Sequence, residues 1–325
     1  MHILNPDPLE RLVKMYAPAL SLIAAAAQVT TDALSALSEA LGALGLCINS
    51  SKTSSMFILP SQVEGNVCEC IIYRGSPLEI VSHVWCLGLI VDDALSWKNH
   101  VHHIITKVGK KIGALRRVRR QLTPQARRQF LLSVIQPDFE FCSVAFLTSL
   151  PVRERERLLA TYRRALRVMA GADLHDDCDA IAKQHSILPI LQRWLSQLVL
   201  FASECHSQPV STSLGSLFTR LPSTHVTRGT LNEDVVVPRY NKKAATCSLS
   251  SRLAVLWNSF STEAKRSKSL LEFRSAVCAM LDSPSAVSRL KSLVFDSIST
   301  IWCNVTVDSG LFVFVHCYCW DADIK

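Results

Sequence analysis

KNHVHHIITKVGKKIGALRRVRRQLTPQARR, residues 98–128, is where the chain changes character, from short apolar runs to long amphipathic periods. Val101, Ile104, Ile105, Val108, Ile112, Leu115 and Val118 recur at three-and-four spacing, which predicts a helix with one apolar stripe. Lys107, Lys110, Lys111, Arg116, Arg117 and Arg120 fall mostly off that stripe and predict a basic outer face. Thr123-Pro124 is a start signal for a second helix, expected to run to about Ile135 and stop before Pro137. The stretch holds ten Lys or Arg and no Asp or Glu. Because the net charge of the whole chain is only +8, this clustering matters more than the total.

Outward toward the N-terminus the pattern is of short strands and one helix. Leu12 to Ala26 is apolar and broken by Pro18, which predicts two strands and a tight turn. Thr31 is expected to cap a helix through Ala33, Leu34, Leu37, Ala40, Leu41 and Leu44, closed by Gly45. Leu46–Asn49, Ser55–Leu59, Val67–Tyr73 and Val84–Val91 read as strands. Outward toward the C-terminus, helices are predicted over Pro151–Ala170, closed by Gly171, and over about Pro189–Ser203. The expected class is α+β. The expected divisions are a strand-rich part at 1–95, a helical domain at 96–205, a linker or irregular region at 206–247, a helical unit at 248–282 and an unassigned, poorly packed tail at 283–325.

With 325 residues and 49% apolar content, the chain is long enough for one large or two ordinary domains. Twelve cysteines suggest a disulfide framework, but Met1–Glu10 is polar and proline-broken, unlike a secretory leader. The expectation is therefore an intracellular protein, cytoplasmic or nuclear, with reduced thiols. The apolar runs Leu20–Ala27 and Leu311–Val315 are shorter than the roughly 18 residues a membrane helix needs, so no membrane span is expected. His100, His102 and His103 invite a metal site, yet residues two apart on a helix point to different sides. Cys68/Cys70 and Cys317/Cys319 lack the two-to-four spacing of zinc ligands. Asp92-Asp93 reads as a solvated turn, and Asp176-Asp177 as a helix N-terminal cap.

Several segments in fixed order resemble the reverse transcriptase of non-LTR, LINE-type retrotransposons, especially the jockey-like kind. Lys14-Met15-Tyr16-Ala17-Pro18-Ala19-Leu20 stands where that family has Tyr-Ala-Asp-Asp between two apolar strands. Gly45-Leu46-Cys47-Ile48-Asn49-Ser50-Ser51-Lys52-Thr53 is similar to the family's Gly-Leu-x-Ile-Asn-x-x-Lys-Thr. Cys86-Leu87-Gly88-Leu89-Ile90-Val91-Asp92-Asp93, then Leu95-Ser96-Trp97 and His100, resembles the primer-grip hairpin and the start of the thumb. Gln136-Pro137 to Cys142, Arg163-Arg164-Ala165-Leu166-Arg167, Ile187-Leu188-Pro189-Ile190 with Arg193, Val237-Pro238-Arg239 and Leu256-Trp257-Asn258 look like the downstream series. The resemblance covers about residues 11–281 and implies a truncated palm followed by a helical thumb and a C-terminal helical region.

Departures from the family pattern decide the expected chemistry. DNA polymerisation of this type uses two divalent ions about 3.5–4 Å apart, held by carboxylates. Pro18 and Ala19 stand where the resemblance puts the paired Asp, and neither side chain offers an oxygen. Only about fifteen residues precede that turn, so the resemblance also implies that the fingers and the upstream catalytic strand are missing. The degenerate motif Tyr16, Ala17, Pro18 and Ala19 and the vestigial Lys52 are accordingly expected to hold no Mg²⁺ and to perform no polymerisation. No other cofactor, metal or small-molecule substrate is expected. The thumb resemblance implies sequence-independent contact with an RNA/DNA duplex, with Lys107, Lys110, Lys111, Arg116, Arg117, Arg119, Arg120, Arg127 and Arg128 as phosphate candidates. The alternative is a host-retained nucleic-acid or protein binding module built on the same helices.

Overall fold

The computed structural model describes residues 27–58, 71–207, 215–220, 231–238, 249–267, 270–296, 312–316 and 319–321. It is α+β, with most of the strands in the N-terminal part and the long helices after Trp97. Contacts divide the chain into two compact units, Met1–Ser96 with Asn304–Lys325, and Trp97–Cys303.

In the first unit, residues 27–43 form helix α1. Thr31 is not its cap: the hydroxyl lies inside the helix, donating to the Ala27 carbonyl at 2.9 Å and accepting from the Ile72 N–H at 3.3 Å. Leu34 is buried, but Leu37 and Leu44 of the expected apolar face are 45% and 75% exposed. Strands follow as β1 (Leu46–Ile48), β2 (Ser54–Ile58), β3 (Ile72–Tyr73), β4 (Ser76–Pro77), β5 (Glu79–Ile80), β6 (His83–Cys86) and β7 (Leu89–Asp92). β2 is the centre of a small sheet, parallel to β5 on one side. On its other side it pairs antiparallel with a strand at Phe312–His316, with Phe312 opposite Ile58 and His316 opposite Ser54. Ser55, Met56 and Phe57 are all buried, as a strand covered on both faces requires. Cys319–Asp321 pairs with β1, so the tail at 312–321 contributes two strands here instead of standing apart. β6 and β7 form a hairpin whose two turn residues, Leu87 and Gly88, have φ of 47° and 90°, the geometry of a type I′ turn.

The second unit is helical. α2 (Lys98–Val118) buries Val101, Ile104, Val108, Ile112 and Leu115 of the predicted stripe against α6 (Val152–Ala170), while Ile105 is half-buried and Val118 exposed. Between them lie α3 (Pro124–Phe130), a π-helical turn at Leu131–Ile135, α4 (Gln136–Glu140) and α5 (Ser143–Leu147). The expected stop before Pro137 does not occur. A proline removes one N–H and crowds the carbonyl four residues back, and the chain meets this by widening one turn: the Gln136 N–H reaches the Leu131 carbonyl five residues away. α6 ends at Gly171, φ 81°, in the left-handed region that a glycine enters without cost. α7 (Cys178–Gln184) is capped by Asp177, whose carboxylate accepts from the N–H groups of Asp179 and Ala180.

α8 (Ile190–Ser207) links the expected helical domain to the expected C-terminal unit. From Leu195 to Cys205 it joins a core with Leu253, Trp257, Phe273, Val277 and Leu281, so the two form one unit. The remaining helices are α9 (Leu249–Asn258), α10 (Thr262–Lys265), α11 (Leu270–Leu281) and α12 (Pro284–Lys291), and a π-helical turn at Ser292–Asp296 follows. Val287, Leu290 and Val294 are buried in the same core, so the expected boundary at residue 282 moves to beyond 294. Between α8 and α9 the chain forms a two-strand ribbon, β8 (Thr219–Arg220) with β9 (Val235–Val236). Asn258 fastens the ribbon, donating to the Val235 carbonyl and accepting from its N–H, both at 2.9 Å.

Candidate nucleic-acid interface

The α2 stripe fixes which way the basic side chains face. With Val101, Ile104, Val108, Ile112 and Leu115 packed inward, Lys110, Arg116 and Arg117 are driven outward, and Arg120 is exposed in the turn that follows. Arg119 and Arg127 are half-buried. The side chains of Lys110, Arg116, Arg117, Arg119, Arg120 and Arg127 form no hydrogen bond or ion pair with the described residues.

Lys107, Lys111 and Arg128 have partners within the protein, with Lys107 still exposed. Lys111 pairs with Asp138 and donates to the Val134 carbonyl at 2.7 Å, which serves a carbonyl freed by the π-helical turn. Lys107 reaches the other Asp138 oxygen at 3.0 Å. The Asp138 side chain is only 9% exposed, so this carboxylate is a structural counter-charge for α2. Arg128 donates to the carbonyls of His185 and Ser186 at 2.7 and 3.1 Å, satisfying the end of α7. Of the nine sequence-derived phosphate candidates, six side chains have no partner among the described residues and three have one.

No family model, no curated protein and no solved structure matches this chain.

Tyr16, Ala17, Pro18 and Ala19 lie outside the described residues. Lys52 is exposed in a single 3₁₀ turn between β1 and β2, where Asn49 caps the turn through the Ser51 N–H at 3.1 Å. Asp92 is not the solvated turn the sequence suggests. It is 6% exposed, and its carboxylate accepts from the Ser96 N–H at 2.8 Å and the Ser96 hydroxyl at 3.2 Å; Asp93 alone is exposed. Its role is to set the turn that leads out of β7. Among the described residues no cluster of His, Cys, Asp or Glu could hold a metal ion. Pro18 and Ala19, which stand where the resemblance puts the family's Mg²⁺ ligands, offer no side-chain oxygen to a hard cation.

His100 belongs to the core. Its ring is 2% exposed, 5.0 Å from the Phe146 ring and 6.4 Å from the Trp97 ring. Burial, and secondarily the charge of His103, lower its pKa to about 4, so it is neutral at physiological pH. Cys205 is a buried free thiol whose pKa burial raises to about 11, unsuited to nucleophilic work. Cys68, Cys70 and Cys317 lie outside the described residues. Among the described residues no helix is long and apolar enough to cross a membrane.

A site feature that sequence spacing missed is the polar bridge across the helical unit. Arg193 grips Glu140 with two guanidinium nitrogens, the second at 3.1 Å, and the Gln136 amide donates to the same carboxylate at 2.6 Å. Trp194 donates to the Phe139 carbonyl at 2.9 Å beside it. These contacts lock α4 to α8, and the sequence signals for them, a Gln-Pro pair and a distant Arg, carry no spacing rule that joins them.

Proposed function

We propose that this protein is a remnant of a LINE-type reverse transcriptase that binds nucleic-acid duplexes through phosphates and performs no polymerisation. The observation that carries it is the set of six cations, on α2, in the turn after it and on α3, whose side chains have no partner among the described residues, in the segment that resembles the thumb. Guanidinium and ammonium groups with no internal counter-ion attract the sequence-independent charge of a nucleic-acid backbone. The order of family-like segments along residues 11–281 supports the lineage, and Pro18 with Ala19 supports loss of the metal-dependent step.

The test is binding of a fluorescent RNA/DNA hybrid across about 50–300 mM salt, with primer extension in Mg²⁺ run in parallel. Affinity that falls steeply with salt, without extension, is the expected outcome. Extension abolished by no substitution at residues 16–19 would overturn the loss of chemistry. Unchanged low-salt affinity in a variant carrying Lys110→Glu, Arg116→Glu, Arg117→Glu and Arg120→Glu would overturn the interface.

A further inference from the structure

Three elements of the helical unit meet at Gly171: the end of α2 at Arg119, the last turn of α3 at Arg127, and the C-cap of α6 at Gly171 itself. A side-chain carbon built on Gly171 would stand 3.5 Å from one Arg127 terminal nitrogen and 3.8 Å from one of Arg119. Two guanidiniums thus converge on the same bare backbone position. Neither has an acidic partner or a hydrogen bond among the described residues, and the Arg127 Nε–H is fully buried with nothing to donate to. The acids that follow Gly171, Asp173 and Asp176, form no ion pair with either arginine among the described residues, and the Asp176 carboxylate accepts from the Asp173 N–H at 2.7 Å.

The ends of α2 and α6 each carry about half a negative charge from their terminal carbonyls. Together they offset about one of the two arginines. Neither guanidinium is paired with a carboxylate among the described residues, and the buried Arg127 Nε–H has no acceptor among them. A tetrahedral oxyanion would satisfy both, since a guanidinium fork matches a phosphate in two-pronged geometry.

We infer that Arg119 and Arg127 form a phosphate-binding pocket over the C-cap of α6, closed on one side by Gly171. As one backbone phosphate of a bound strand it deepens the proposed duplex interface and rests on it for its ligand; as a site for a free phosphate it stands without it. Gly171 permits the left-handed φ of 81°, and a Cβ there would stand in ordinary van der Waals contact with both arginines.

The experiment uses the full chain and three variants: Arg119→Gln with Arg127→Gln, Gly171→Asp, and Arg116→Glu with Arg117→Glu. Asp is among the residues best tolerated at positive φ, and its carboxylate would fill the pocket from within while leaving both arginines in place. Thermal unfolding is measured with inorganic phosphate against chloride at matched ionic strength, and hybrid-duplex affinity at one fixed salt. The expected result is a phosphate-specific rise in Tm for the wild type and for Arg116→Glu with Arg117→Glu, lost in both pocket variants. If the pocket takes a strand phosphate, duplex affinity also drops about tenfold in both pocket variants, the scale of one lost charge-assisted contact. If duplex affinity is unchanged while the phosphate response is lost, the pocket stands and its ligand is free phosphate. No duplex binding by the wild type, with the phosphate response intact, removes the duplex proposal and leaves the pocket. The pocket is overturned if the wild type shows no phosphate-specific rise, or if the Gly171→Asp variant responds as the wild type does. In that case the arginines serve only the helix ends.

Discussion

Acidification should destabilise the helical unit through one residue, His100. Its ring sits edge-on to Phe146 in the core between α2 and α5, and burial lowers its pKa from 6.5 to about 4. In the unfolded chain the imidazole titrates near 6.5, so between these values the unfolded state binds the extra proton and the folded state does not. Stability is then full above about pH 6.5, falls as the pH drops toward 4, and stops falling from this cause below 4. From pH 7.5 to pH 5.0 the two titration curves separate by about 1.5 logarithmic units, or ~2 kcal/mol. His100→Phe keeps an aromatic ring in the cluster and removes the titration. Urea unfolding followed by tryptophan fluorescence, which Trp97, Trp194 and Trp257 report from this unit, measures both proteins at both pH values. The wild type should lose about 2 kcal/mol more than the variant on going to pH 5.0. Equal losses would refute the assignment of a buried neutral imidazole.

Lys111→Met should cost about 2–3 kcal/mol in the same unfolding assay, because it leaves the nearly buried Asp138 with only the exposed Lys107 and strips the donor from the Val134 carbonyl; a cost below about 0.5 kcal/mol would show that water replaces the ammonium. Leu87→Asn should stabilise the β6–β7 hairpin by up to about 1 kcal/mol, since Leu87 is 90% exposed, packs on little, and holds a φ of 47° that a leucine resists. Slower amide exchange at Val84–Val91 in the variant is the expected signature, and faster exchange would mean that the leucine makes a contact worth more than its strain.

Local signals in the sequence translated well where one element determines its own form. The α2 stripe reappears as Val101, Ile104, Val108, Ile112 and Leu115 in the core, and Gly171 and Asp177 close and open helices as their chemistry requires. The failures share a cause, which is that the deciding partner lies far along the chain. Thr31 looks like a cap until the Ile72 N–H supplies its second hydrogen bond from 41 residues away. Pro137 looks like a stop because the remedy, a widened turn whose spare carbonyl is met by Lys111, needs another helix alongside. Phe312–His316 looks like tail because the strand it pairs with, Ser54–Ile58, lies near the other end of the sequence.

The same distance effect governs how the basic segment should be counted. From sequence, nine cations stand near α2 and α3 with no acid among them, and each looks equally able to meet a phosphate. The fold brings Asp138 to Lys107 and Lys111, and the end of α7 to Arg128, and so withdraws three. Counter-ion release turns this difference into a measurable slope, because log affinity falls with log salt by about 0.9 for each phosphate neutralised. Nine contacts would give a slope of about −8, and the six unpartnered cations about −5. A slope near −8 would mean that Lys107, Lys111 and Arg128 leave their internal partners to bind, which would unsettle α4 and α7. A slope near −5 that drops by about 1 when Arg119 and Arg127, which share one phosphate, are both made glutamine, and stays fixed when Lys107 is, would tie the free cations of the folded helices to the strand.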